Sequence, residues 1–412
     1  ASVAQDLEPT SVVIAPDGST AQIAMPKNHA TALVDIATAT VSALSPLAGV
    51  TSGAATVLGF HDLPIADLPE VGTTAEGQHL TLGGFSALTF EGVDSSTGML
   101  NFLTLTDRGP NAGATDIDDS GFEVRPFPLP DYAPRLVRLA VDPRAGTAHF
   151  VSEMLLTDAA GKALTGLPNL DGEPGMANAD EPAIDLRGKP LPFDPSGIDP
   201  EGLAVAADGS FWIVEEYRPS ILHFDAAGKL IRRFVPFGAN ANPAGVNLGV
   251  EALPGVLMQR TSNHGFEAAV FDGTILYAFM QSPLDNPDRA DDANARDARI
   301  VRMIAFDTVA EKTVGQYVYL VDGDNVDKIG DAVALGNGEF LVIERDNILG
   351  PSARKYIYRI SLEGATNLED VVKSAPVGPN QGLEALSLAE MALAGIRPVQ
   401  KRLFVDLTAA GY

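Results

Sequence analysis

The chain of 412 residues contains no cysteine. That absence excludes disulfides, thiolate metal sites and cysteine nucleophiles together. It leaves the redox compartment open, because a large β domain does not need disulfide staples. No apolar run approaches the roughly 20 residues of a membrane helix, so no membrane span is expected and the chain reads as soluble. Basic residues are scarce: 28 Lys and Arg stand against 54 Asp and Glu, for a net charge of −26. Nucleic acid and anionic lipid are therefore poor partners, since phosphate-backbone binding needs a basic footprint. An acidic surface suits cation binding, a salty or extracellular setting, or simple solubility.

Further absences narrow the chemistry. The six histidines, at positions 29, 61, 79, 149, 223 and 264, show no metal-ligand spacing. His223 alternates within an apolar strand and reads as structural. The single tryptophan, Trp212, has apolar alternating neighbours and reads as core. No G-x-S-x-G is present, so an α/β serine hydrolase has no support, and no phosphate-cradling glycine loop is found. The start, ASVAQDLEPT, lacks a basic and an apolar leader region. It fits a mature end after signal-peptide removal, which predicts a secreted or periplasmic protein.

What is abundant is turn chemistry. Forty Gly and 29 Pro fall between short apolar runs. Groups of strand, tight turn, strand, loop, strand, turn, strand recur at intervals of about 40–65 residues. They begin at SVVIAPDGSTAQIAM, FSALTFEG, DPEGLAVAADGSFWIVEE, GFEAAVFDGTILYAF and IGDAVALGNGEFLVIERD, with an irregular sixth group from GLEALSL to KRLFVDLT. EDVVKSAP reads as the last strand of the fifth group, and LEALSLAEMALAGI as the one helix. This pattern predicts an all-β chain, a β-propeller of about six four-stranded blades, with five or seven as alternatives. One or two β-sandwiches would also give many short strands, but the internal repeat favours the propeller. Residues 1–60 are expected to supply an N-terminal blade or closing segment, and 77–412 the main propeller, as one continuous body. The loops 109–134, 164–200 and 285–299 are long enough to carry function or partner contacts.

Acids recur at hairpin ends. With Asp208-Gly209 as a two-residue turn, Glu201 should face Glu216; with Asn337-Gly338 as the turn, Asp331 should face Glu344. Glu267 and Gln281 lie at matching ends of a third hairpin, and Ser86 and Asp107 of a fourth. First strands of blades surround the axis, so Asp107, Glu201, Glu216, Glu267, Asp331 and Glu344 are expected to form one acidic ring. So many carboxylates need a cation or raised pKa values. Hard oxygen ligands point to Ca²⁺, with Mg²⁺ second. Arg108, Arg218 and Arg345 accompany the acids, and Lys328 precedes Asp331. Either each Arg closes a blade end by pairing locally, or together they grip a phosphoester beside the metal. DIDDSG (116–121) and DGDNVD (322–327) resemble fragments of calcium loops; the first has Phe127 where an EF-hand needs Glu.

The stretches DPEGLAVAADGSFWIVEEYRPSILHFDAAGKLIRRFVP, GFEAAVFDGTILYAFMQSPL and DKIGDAVALGNGEFLVIERD resemble the bacterial family described as having esterase-like activity of phytase. LGGFSALTFEG and LTDRGPN are similar to that family's opening, so the likeness covers roughly Gly83 to Thr408. The N-terminal group resembles a surface-layer or YVTN propeller blade. The resemblance implies a propeller fold and a secreted, calcium-dependent phosphoesterase with an acidic central site. On that expectation Glu201, Glu267, Asp331, Asp107 and Glu344 bind the metal. Asp107, Glu216, Glu344, Arg108, Arg218 and Arg345 act on a small phosphorylated or ester substrate. A non-catalytic, calcium-stabilised propeller that binds a protein or surface partner is the alternative; a lactonase-like esterase is a third. The final block lacks the Asp-Gly turn and acidic strand usual in the family, which bears on whether the acidic site is complete.

Overall fold

The computed structural model describes residues 11–14, 20–25, 30–35, 56–116, 123–169, 180–242, 245–286, 298–322, 328–350, 352–372 and 382–410. The Asp116–Gly121 stretch beyond its first residue and the Asp322–Asp327 stretch beyond its first residue lie outside these.

The chain folds as stacked antiparallel sheets around an axis. The first holds β1 (Ser11–Ile14), β2 (Thr20–Met25), β3 (Ala30–Asp35) and β4 (Thr56–Asp62). A short 3-10 turn and the small hairpin β5 (Glu70–Thr73) and β6 (His79–Thr81) follow. The second sheet holds β7 (Phe85–Val93), β8 (Leu100–Thr106), β10 (Arg135–Asp142) and β11 (Thr147–Leu155), with the two-residue strand β9 (Arg125–Pro126) in its long loop. That strand pairs with β12 (Ala183–Ile184). The third sheet is β13 (Pro200–Val205), β14 (Phe211–Glu215), β15 (Ser220–Phe224) and β16 (Leu230–Pro236), extended by β17 (Val250–Leu253) running parallel to β16. The fourth is β18 (Phe266–Asp272), β19 (Ile275–Met280), β20 (Ile300–Asp307) and β21 (Lys312–Leu320). The fifth is β22 (Lys328–Gly336), β23 (Glu339–Arg345), β24 (Lys355–Ser361) and, after the short helices α1 (Leu368–Val372) and α2 (Leu388–Leu393), β25 (Gln400–Asp406).

The first two sheets are joined edge to edge by one parallel pair, Thr147 opposite Asp62, and so count as a single eight-stranded sheet by hydrogen bonding. Their inner strands are nonetheless separate members of the ring: β1 packs against both β22 and β7, β7 against β13, β13 against β18, and β18 against β22. Among the described residues, five inner strands thus follow one another around the axis, carried by four hydrogen-bonded sheets of four or more strands. The sixth group of the sequence is absorbed rather than added. Its terminal strand becomes β25, the outer strand of the fifth blade, while EDVV, expected as that strand, forms α1. The expected helix in LEALSLAEMALAGI is present as α2, capped by Ser387 and Glu390 in a reciprocal capping box.

Blades stack face to face, so their middle strands are buried on both sides. All five residues of β14 (FWIVE) are buried. One core joins the second and third blades through Leu103, Leu105, Leu136, Ile213 and Phe224; a larger one joins the third, fourth and fifth through Trp212, Phe234, Phe279, Phe306 and Phe340. Trp212 is core as expected, stacked 4.2 Å from the His223 ring and 6.0 Å from Phe234. Each fully buried Phe contributes about 1.5–3 kcal/mol.

Inner strands lie close enough to demand glycine. A Cβ on Gly202 of β13 would sit 2.5 Å from the Ala269 backbone nitrogen of β18. Gly202→Ala is therefore expected to destabilise the protein by about 3 kcal/mol in urea unfolding. Gly113→Ala, in open space, should stay within about 0.5 kcal/mol. Equal midpoints for the two would contradict the packing.

Candidate functional site

The hairpin registers differ from the expected ones in one systematic way. Asn337 and Gly338 form the two-residue turn that was expected, both left-handed at φ 57° and 73°. Ala207-Asp208-Gly209, however, is a three-residue turn closed by Ala206 N–H to Ser210 O at 2.9 Å. Pro200 then faces Glu215, and Glu344 faces Ile329. At the same level of four inner strands the pairing skips: between Phe85 and Leu88, Pro200 and Gly202, Phe266 and Ala268, and Ile329 and Ala332. Each skip is a β-bulge, and the unpaired residues are Ser86-Ala87, Glu201, Glu267 and Gly330-Asp331. A bulge re-aims side chains that a regular ladder would alternate. This is how Glu201 and Glu267 leave their strands' pairing pattern while Glu216 follows β14.

The carboxylates converge. Ligand oxygens of Asp199, Glu201 and Glu216 all lie within 4.8 Å of one another. Removal from water, then repulsion from Glu267, Asp199, Glu216 and Asp107, pushes Glu201 well above the usual carboxylate range. Glu216 is raised in the same way by burial and by Asp199 and Glu267. Glu267 is raised by burial, against the pull of Arg345. Amides thread the cluster. Gln281 donates through Nε2 to Glu216 and, at 2.6 Å, to Glu267. Asn263, itself left-handed at φ 52°, donates to Glu216 at 2.8 Å and accepts from Arg108 at 2.7 Å.

Arg108 is the cation at the cluster's edge. Its backbone N–H donates to Asp199 Oδ1 at 2.9 Å, and its Nε lies 3.4 Å from Oδ2. Burial opposes its charge, but Asp199, Glu216 and Glu181 hold its pKa above the usual guanidinium value. Arg345 lies 3.8 Å from Glu267, and Lys328 sits opposite Arg345 across the hairpin. Asp107, partly exposed, accepts from Gly109 N–H at 2.8 Å. Asp331 is buried and lines, with Leu203, Val205 and Ala269, a central channel of about 210 Å³.

Two expected members lie elsewhere. Glu344 is fully buried and accepts from Tyr319 Oη at 2.6 Å, from Asp322 N–H at 2.9 Å and from Lys401. The Lys401 ammonium is held over the Tyr358 ring at 3.9 Å. Because Glu344 pairs with Ile329 and not with Asp331, it turns to the seam with β21 and β25. Arg218 is also fully buried, donating to Asn169 O at 3.0 Å. Burial, then Arg233, lowers it to about 10. Asp199 and Asn263 escaped the sequence reading. Asp199 lies outside the facing pairs counted from the Asp208-Gly209 turn, and an amide between two charges carries no sequence signal.

The cluster fits a hard divalent cation. Three buried or half-buried carboxylates share one space, every donor is oxygen, and Gln281 Oε1 is buried without a hydrogen-bond partner. Removing one of the repelling charges by Glu201→Gln should raise the melting temperature of metal-free protein and abolish its rise on adding calcium. Glu344→Leu should cost about 3 kcal/mol, as loss of a buried ion pair does, and leave the calcium midpoint unchanged. Thermal melts with and without calcium check both; the reverse pattern would return Glu344 to the cation site.

The family described as phytase-like, with esterase-like activity of phytase, matches residues 80–412. An uncharacterized secreted protein of Arthroderma benhamiae is 26% identical over 241 residues, 50% of this chain and 47% of that one. The chain thus spans about half the length of that relative. Among solved structures, the PQQ-bound aldose sugar dehydrogenase of Streptomyces coelicolor is similar at a TM-score of 0.39 and 12% identity, over 85% of this chain and 93% of that one. The Dos1 propeller is similar at 0.31 and 10%, over 85% and 68%. Among the described residues no helix is long and apolar enough to cross a membrane. The family match takes in every strand of the four blades whose inner bulges carry the site, and the chain belongs to the phytase-like family described as having esterase-like activity of phytase.

Proposed function

We propose that the chain is a secreted, calcium-dependent phosphoester hydrolase. The observation that carries the reading is the convergence of Asp199, Glu201 and Glu216 beside Arg108. Family membership and the secreted relative support it. Asp199, Glu201 and Glu216 hold the cation, with Glu267 adjoining. When bound, calcium polarises a phosphoryl oxygen and acidifies water. Arg108, braced by Asp199 and Asn263, grips the phosphoryl group beside the cation. Arg345 and Lys328 offset the charge of Glu267, and Asp107, exposed enough to meet solvent, takes the proton of the attacking water. Asp331 faces the channel beneath.

A second reading keeps the cation and drops the chemistry. Calcium would relieve the repulsion among the acids in a non-catalytic secreted module as well. The two separate on one experiment, a calcium titration of chelator-treated protein against a phosphomonoester panel. Turnover that appears with calcium, and falls about 100-fold or more in kcat/KM for Glu201→Gln and for Arg108→Met, is the expected outcome. Calcium-dependent melting without turnover supports the binding module instead.

A further inference from the structure

Beside the acid cluster lies a groove of about 490 Å³ that opens on Asp107, within the roughly 300–1,000 Å³ of small-molecule sites. Asp107 ties it to the cluster, since the next residue, Arg108, donates its backbone N–H to Asp199 Oδ1 at 2.9 Å. The groove's other lining mixes hydrogen-bonding residues, Gln78, His79, Thr81 and Asn111, with the apolar Val71 and Leu80. Two glycines hold this shape open. A Cβ on Gly84 would meet Asp107 Oδ1 at 2.7 Å, and one on Gly109 would meet the Tyr132 ring at 2.1 Å. Asn111 is fixed in advance, donating to Gly109 O at 3.0 Å and accepting from Arg125 at 3.1 Å. No Lys or Arg lines the groove. The guanidinium of Arg125, which donates to Asn111, is bound by both oxygens of Glu181.

Resting on the phosphoesterase reading, we infer that this groove is the subsite for the unphosphorylated, hydroxyl-rich part of the substrate, so that the protein acts on a sugar or polyol carrying one phosphoester. Donors and acceptors set among apolar residues suit a sugar or polyol, whose hydroxyl groups alternate with C–H faces. A densely phosphorylated polyol would place several negative charges against Asp107 with no cationic side chain to receive them.

Two measurements on the calcium-loaded protein test this separately from the chemistry. The first is KM for glucose 6-phosphate, p-nitrophenyl phosphate and inositol hexakisphosphate, in wild type, Gln78→Ala and Asn111→Leu. KM for the sugar phosphate should be about tenfold below that of the aryl phosphate and rise about tenfold in each variant, with the aryl phosphate unmoved and the hexakisphosphate poorest. Turnover of all three without that order, or unaffected by both variants, overturns the subsite and leaves the hydrolase. The second is saturation-transfer NMR with glucose 6-phosphate, which reads the groove even if nothing is hydrolysed. Signal on the sugar protons that weakens in Gln78→Ala supports the subsite; contact equal in wild type and both variants overturns it. Asn111 also braces Arg125, so Gln78, exposed and free of that role, carries the decision should Asn111→Leu unfold.

Discussion

Mutual repulsion among carboxylates held out of water is the constraint around which the rest of the site is arranged. Asp199, Glu201, Glu216 and Glu267 bring like charges into one space, and burial deepens the cost. Such an arrangement persists only where the surrounding scaffold is stable enough to impose it. Here the scaffold is the face-to-face packing of the blades, whose apolar cores lie between sheets, with the carboxylates gathered at one end of the inner strands. The bulges at one level of four inner strands convert that packing into aim. A regular ladder would send Glu201 and Glu267 to alternate faces, whereas the unpaired positions release them from the alternation.

The compensation is graded. Arg108 pairs with Asp199 and is kept from a direct contact with Glu216 by the Asn263 amide, which serves both. Gln281 does the same between Glu216 and Glu267, where two carboxylates would otherwise meet. Amides bridge without adding a charge, so the carboxylates still repel one another and favour a cation. The left-handed backbone of Asn263 is consistent with that duty, since strain tends to persist where a site over-determines it. The contrast with the second buried cluster is instructive. Glu344 is balanced by Lys401, whose ammonium lies over the rings of Tyr319 and Tyr358, and by the Tyr319 hydroxyl that donates to it.

Much of this was legible in the sequence. Alternation, Asn-Gly and Asp-Gly turns and the recurring groups gave the all-β propeller, and acids at hairpin ends gave Glu201, Glu216 and Glu267. What could not be read was geometry that breaks periodicity. Counting residues from a turn assumes a regular ladder. The bulge at Gly330-Asp331 therefore parted Asp331 from Glu344, which turns to the seam with β21 and β25. Glu201 stays beside Glu216, and Glu267 beside Gln281. The three-residue turn at Ala207–Gly209 and the two-residue turn at Asn337-Gly338 carry the same Gly signal, and only one has the expected length. The count of about six blades, with five among the alternatives, took in a sixth group because β25 arrives about forty residues after β24 and resembles the start of another repeat. Asp199 lay outside the pairs counted from its turn.

The central claim is that these carboxylates hold a cation, and a crystal structure of the protein grown in calcium, with anomalous scattering to identify the ion, tests it most directly. The account predicts one calcium bound by Asp199, Glu201 and Glu216 at about 2.3–2.6 Å from their oxygens. A cluster found free of metal at saturating calcium, its carboxylates bridged by protons and water alone, would contradict it.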